Sequence, residues 1–254
     1  MFESKNEIKY RQKLMPSAFT YLSYNFKDIP GSIFNDKKIN PENRLQLAGP
    51  KVDGDIYVDY NGWLSQILIE FSASGFYYLF HISPSTITNT LSDLADLISF
   101  DLIIDLEKNL SNTETGDQQI AILEDFLFER SQLALPSNGY IENALQIMEK
   151  YNGSIQINEL IKKVGIGERQ FDRKFREIVG ITPKCYSKIL QLHYVIKLMN
   201  SKKYSSAKEL AYQAEFYDLA HFANRFKELT GFTPNEFVKS DEHIALKYFT
   251  SHIN

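Results

Sequence analysis

The stretch Phe171-Asp-Arg-Lys-Phe-Arg-Glu-Ile-Val-Gly-Ile-Thr-Pro-Lys-Cys-Tyr186 decides the fold of this chain's second half, because it is written twice. It returns 51 residues later as Phe222-Ala-Asn-Arg-Phe-Lys-Glu-Leu-Thr-Gly-Phe-Thr-Pro-Asn-Glu-Phe237. Two Phe, a basic residue, Glu, Gly, Thr-Pro and a closing aromatic recur in register. Upstream, residues 158–164 match residues 208–214 at an offset of 50, so the second copy has one more residue in its turn.

Each copy has the pattern of a helix-turn-helix. A short helix (about 158–164 and 207–214) meets a tight turn at Gly165 and near Phe216. A second helix follows (about 168–179 and 218–229). Phe171 and Phe175 stand at i and i+4, as do Phe222 and Phe226, and Ile178 and Leu229 extend the stripes. Such a face packs inward. Gly180 and Gly231 suit a left-handed helix stop. Thr182-Pro183 and Thr233-Pro234 suit an N-cap followed by proline in the first turn of a further helix.

Charge is divided along the chain. The whole carries −4. Residues 1–139 hold 11 Lys/Arg against 19 Asp/Glu, a net −8; residues 140–254 hold 17 against 13, a net +4. Binding a polyanion needs local positive charge, which the repeat-bearing half supplies.

The repeat resembles the DNA-binding domain of the AraC/XylS family of bacterial regulators, with the likeness running over residues 138–240. That resemblance implies two helix-turn-helix units (at about 156–180 and 206–231) joined by a long helix over about 183–200. It implies an all-α DNA-binding domain over 136–254, a sequence-specific transcription regulator, double-stranded DNA as partner, an activator that meets RNA polymerase, and a homodimer. A partial likeness in the first half (Leu47-Ala-Gly-Pro50, Leu64–Phe71, Phe76–Phe80, Thr88-Asn89) implies a sensor-like domain controlled by a small-molecule effector.

Recognition helices show the major groove the face opposite their Phe stripe. In the first copy that face carries Arg169, Gln170, Asp172, Arg173 and Arg176. Arginine reads guanine by a bidentate pair of hydrogen bonds, and the family pattern puts base contacts at Arg169 and Arg173. Asp172 suits cytosine or a neighbouring Arg. In the second copy the face carries Leu219, Ala220, His221, Asn224 and Arg225. Here the chain departs from the family, which commonly has Arg at the position of Asn224 and Ser at that of Ala220. Asn224 can still read adenine; His221 is equally a helix-surface residue. For phosphates the candidates are Arg176, Thr182, Lys184, Lys188, Arg225, Thr233 and Asn235, with Lys202 and Lys203 beside them.

Residues 1–135 read as an α+β domain, β-rich first, with a cupin-like arrangement among the options, and helical later. Phe19–Phe26, Ile56–Tyr60 and Leu64–Phe71 have strand composition. Asn61-Gly62 between the last two suggests a hairpin. Gly75–Phe80 is a helical turn or a buried strand. From Ser92 the spacing of Leu94, Leu97, Ile98, Leu102 and Leu106 is helical, as is 118–134. Leu135-Pro-Ser-Asn-Gly139 punctuates the chain, and the domain boundary belongs there. Tyr57, Trp63 and Tyr77 are candidates for an apolar effector pocket; an ordinary aromatic core accounts for them equally well.

Enzyme chemistry finds no purchase. Five histidines (His81, His193, His221, His243, His252) are scattered without metal-ligand spacing, no Gly-rich phosphate loop occurs, and no cofactor is indicated. The single cysteine, Cys185, excludes an intramolecular disulfide and reads as a packing thiol. The polar start, MFESKNEIKY, has no apolar signal region and no run spans a bilayer, which predicts a cytoplasmic protein away from membranes. The competing reading is a ligand-binding or protein-interaction module whose helix-turn-helix scaffold has lost specific DNA binding.

Overall fold

The computed structural model describes residues 1–34, 37–39, 41–201, 206–216 and 218–239. The chain forms two compact units. Unit 1 takes Met1–Leu14, Ala18–Asn138 and Phe175–Ile181; unit 2 takes Met15–Ser17, Gly139–Lys174 and Thr182–Asn254.

Unit 1 is built on two antiparallel sheets. Among the described residues its strands are β1 (Phe2–Glu3), β2 (Ile8–Lys13), β3 (Tyr21–Asn25), β4 (Gly31–Phe34), β5 (Lys37–Ile39), β6 (Leu45–Ala48), β7 (Ile56–Gly62), β8 (Ser65–Glu70) and β9 (Leu91–Asp93). One sheet has the order β1-β8-β3-β6-β9, the other β2-β7-β4-β5. In the first sheet, alternation turns Leu22 and Tyr24 of β3, Leu45 and Leu47 of β6 and Ile67 of β8 into one buried cluster. The same cluster takes Phe76 and Phe80 from α1 (Gly75–Phe80), Ile103, Leu106 and Leu110 from α2 (Phe100–Ser111), and Leu123 and Phe126 from α3 (Gly116–Gln132). The α3 start is a capping box: Thr115 accepts from the Gln118 amide, and the Gln118 side chain accepts from the Thr115 amide.

Two expectations change here. β7 and β8 do not form a hairpin. β7 pairs with β2 and β4, and β8 pairs with β3 and β1. Asn61 and Gly62 stay in the ladder, opposite Lys9 and Ile8. The turn residues instead let the chain leave one sheet and enter the other. Gly62 sits at φ 118, and a Cβ there would collide with the Asp28 carboxylate, which accepts the Trp63 amide at 2.6 Å. A two-residue hairpin needs both strands in one sheet, and local turn chemistry cannot report which strands pair. The helical reading from Ser92 also starts late. Residues 91–93 add an edge strand to β6, Leu94–Asp96 form one 3₁₀ turn, and α2 begins at Phe100.

Unit 2 is helical in its described part, with α4 (Gly139–Lys150), α5 (Ile157–Val164), α6 (Glu168–Val179, whose last residues cluster with unit 1), α7 (Pro183–Ser201), α8 (Ala207–Gln213), α9 (Leu219–Thr230) and α10 (Pro234–Lys239). Residues 134–138, ahead of α4, carry no regular structure. The fold class read from sequence, a β-rich first part before an all-helical tandem repeat with a long connecting helix, is the one observed. Among the described residues no helix is long and apolar enough to cross a membrane.

Candidate nucleic-acid interface

Both copies of the repeat fold as the spacing requires. α5 ends on Gly165 at φ 74, whose amide bonds the Ile161 carbonyl. Gly180 and Gly231 take φ 87 and φ 82, the left-handed stop that glycine adopts without Cβ strain. The threonines that follow act as caps. Thr182 Oγ1 accepts from the Cys185 amide at 3.0 Å. Thr233 Oγ1 accepts from the Glu236 amide at 3.3 Å while the Glu236 carboxylate accepts from the Thr233 amide at 2.7 Å. That backbone hydrogen bond, with the hydroxyl's, holds the Glu236 carboxyl below its usual range.

On α6, Phe171, Phe175 and Ile178 are buried, at 2% exposure or less. The opposite face leaves Arg169, Gln170, Arg173 and Arg176 exposed. Steps of four and three residues put Arg169, Arg173 and Arg176 in one row of cations along the helix. Asp172 is half-buried, and both it and Arg176 already have interaction partners.

On α9, Phe222 and Phe226 are buried and the face opposite exposes Leu219, Ala220, His221 and Asn224. Asp218 caps the helix, accepting the His221 amide at 2.7 Å. The His221 ring meets Phe216 edge-on at 5.5 Å, which fixes its direction. Arg225 is not a free cation: its guanidinium bonds Glu228 at 2.7 Å, one helical turn on. This bond also holds the Glu228 carboxyl below its usual range. The row that reads Arg169, Arg173, Arg176 in the first copy therefore reads Ala220, Asn224, Lys227 in the second.

The remaining phosphate candidates fall at or just before the starts of α7 and α10, except Lys188, one turn into α7. Lys184 and Asn235 are exposed, Thr182, Lys188 and Thr233 half-buried. Thr182 and Thr233 spend their hydroxyls on capping. Lys202 and Lys203 lie outside the described residues, as do His243 and His252. Cys185 is half-buried, and burial pushes its thiol up, away from thiolate chemistry. Sequence reading missed the Arg225–Glu228 pair, although its three-residue spacing was visible, and the Phe216 backing of His221, which depends on the turn between α8 and α9.

Of the aromatic effector candidates, Trp63 lines a shallow depression open to solvent. Asp28, Pro30 and Tyr60 line it too. Burial, with Tyr10 beside it, pushes the Tyr60 phenol up to about 12. The Lys27 ammonium sits 5.2 Å from the Trp63 ring. Tyr57 lies under the Arg11 guanidinium at 5.9 Å, and the Tyr77 hydroxyl donates to Glu177 at 2.8 Å. Among the described residues no three His, Cys, Asp or Glu side chains are grouped to hold a metal ion.

Comparison with known proteins agrees with this geometry. Residues 160–240, from within α5 to just past α10, match a family model described as a helix-turn-helix domain. No curated protein matches the sequence. Among solved structures, ToxT from Vibrio cholerae is similar over most of both chains. One crystal structure is 12% identical, covering 92% of this chain and 98% of that one, with TM-score 0.47. Another, of the wild-type protein with an unsaturated fatty acid bound, is 10% identical, covering 94% and 96%, with TM-score 0.48. Both likenesses are distant. Residues 160–240 of this chain are a helix-turn-helix domain.

Proposed function

We propose that this protein is a sequence-specific regulator of transcription that reads double-stranded DNA with α6 and α9. The observation that carries the reading is the exposed row Arg169, Arg173, Arg176 on the face of α6 opposite the buried Phe171 and Phe175. Arg169 and Arg173 address base edges, with Gln170 and Asp172 beside them, and Arg176 addresses a phosphate. On α9, Asn224, His221 and Ala220 face the bases. Lys184, Lys188, Arg225 and Asn235, with the amide-bearing turns at Thr182 and Thr233, serve the backbone. Action as a cytoplasmic activator in contact with RNA polymerase, as a homodimer, completes the proposal. A small-molecule effector at unit 1 belongs to the same reading, with Trp63, Tyr57 and Tyr77 as its candidate residues. The acidic first half fits a part of the chain that avoids DNA.

The test is selection of binding sites from random duplexes by the full chain, followed by gel shifts at graded salt. A recovered motif bound more weakly by Arg173→Ala is expected. Wild type and Arg173→Ala binding equally, with no sequence preference, would sink the reading and leave a protein-interaction module on a helix-turn-helix scaffold.

A further inference from the structure

We infer that Met15–Ser17 is a strap built into the second helix-turn-helix, so that the DNA-facing side of α9 is held in place by residues from near the start of the chain. β2 ends at Lys13 in one sheet and β3 begins at Tyr21 in the other, so the connection between them carries the chain from sheet to sheet. Three residues of that connection belong to unit 2. The Met15 side chain is buried in the apolar cluster of Leu192, Val195, Phe222, Phe226 and Phe237. Two of these, Phe222 and Phe226, are the inward stripe of α9. Next to it, the Pro16 carbonyl accepts a hydrogen bond at 2.9 Å from Nε2 of His193, on the connecting helix α7. His193 is buried, and burial lowers its pKa, so the ring is neutral and the carbonyl fixes the proton on Nε2.

An unbranched thioether and one buried hydrogen bond are strong ties for so short a segment. Methionine fills irregular gaps between helices. Pro16 fixes its own φ and, being a proline, brings no amide N–H that would need a partner in the core. The inference rests on the proposed DNA reading only for its consequence at α9; the strap itself is judged without DNA.

Hydrogen exchange of the full chain, read by peptide mass spectrometry, tests it. Met15→Ala should speed exchange across residues 207–230 by about tenfold or more, the scale set by truncating a buried methionine. Exchange in β3 and β8 should hardly change. His193→Leu should speed the same helices, and His193→Gln, which can still donate to the Pro16 carbonyl, should restore most of the protection. If Met15→Ala does not fold, the two His193 variants decide between strap and no strap. Equal acceleration of β3 and β8, unchanged exchange at 207–230, or His193→Leu behaving as wild type would each overturn the strap. On a selected DNA site, Met15→Ala should lose nuclease protection only over the half that α9 covers. A chain that selects no DNA site would defeat the function proposed above while leaving the exchange result to decide the strap.

Discussion

The two helix-turn-helix units share a scaffold and differ in the surface they offer. Phe171 and Phe175 correspond to Phe222 and Phe226, Gly180 to Gly231, and Thr182 to Thr233, and each pair has the same burial or cap role. Outward, three arginines in a row on α6 correspond to Ala220, Asn224 and Lys227 on α9, where Arg225 is tied to Glu228. The packing face is set by burial, which tolerates little change. The solvent face carries no such constraint and is where two copies of one motif can diverge in what they bind.

Removing packing should give the largest effect and should touch both units alike. Phe171→Ala and Phe226→Ala should each cost about 3–5 kcal/mol in chemical denaturation, because each leaves a cavity under its helix, α6 or α9. A much smaller cost for Phe226→Ala would mean the second unit is not packed as described. Base contacts come next and should separate the units. Arg173→Ala should weaken binding to a selected site by about 1–3 kcal/mol and relax preference at one position. Asn224→Ala should lose less. In contrast, Lys184→Ala should weaken all sequences alike and lower the salt slope by about 1.

The Thr233 cap is worth about 1 kcal/mol, so Thr233→Ala should lower stability by that much with no change at the bases. His193 gives a pH signature to the second unit. Its folded-state pKa lies below 6.5 because it is buried neutral, so its contribution is fully present above 6.5 and is lost as pH falls through the folded value. Melting of wild type against His193→Gln from pH 7.5 to 5 should show the wild type losing more stability in acid. Last, Glu228→Gln should release Arg225 from an exposed pair worth about 0.2–1 kcal/mol and tighten DNA binding slightly at low salt. Unchanged binding would assign Arg225 to structure alone.

The sequence makes the tandem part legible because its determinants are local. Gly180 and Gly231 need φ above zero, Thr182 and Thr233 cap the helix beside them, and a Phe pair four residues apart fixes a face. Each of these can be read within one or two turns of helix. What stayed hidden depends on partners distant in sequence. Asn61-Gly62 is a sound turn signal, yet which strand pairs with β7 is decided by β2 and β4, some 50 and 25 residues away. The Met15–Ser17 segment is too short to show any period, so nothing local marks it as part of a helical core. Trp63 stands out in sequence for the aromatic density around it. It does edge a depression, but Tyr57 and Tyr77 are engaged by Arg11 and Glu177.

With three arginines on α6 against Ala220, Asn224 and Lys227 on α9, the first unit is proposed to carry more of the sequence specificity than the second. Competitive site selection with wild type, Arg173→Ala and Asn224→Ala tests it most directly. A two-part motif is expected in which Arg173→Ala erases preference in one part at a cost of about 1–3 kcal/mol, while Asn224→Ala leaves both parts recognisable. A motif that survives Arg173→Ala intact but collapses in Asn224→Ala would contradict it.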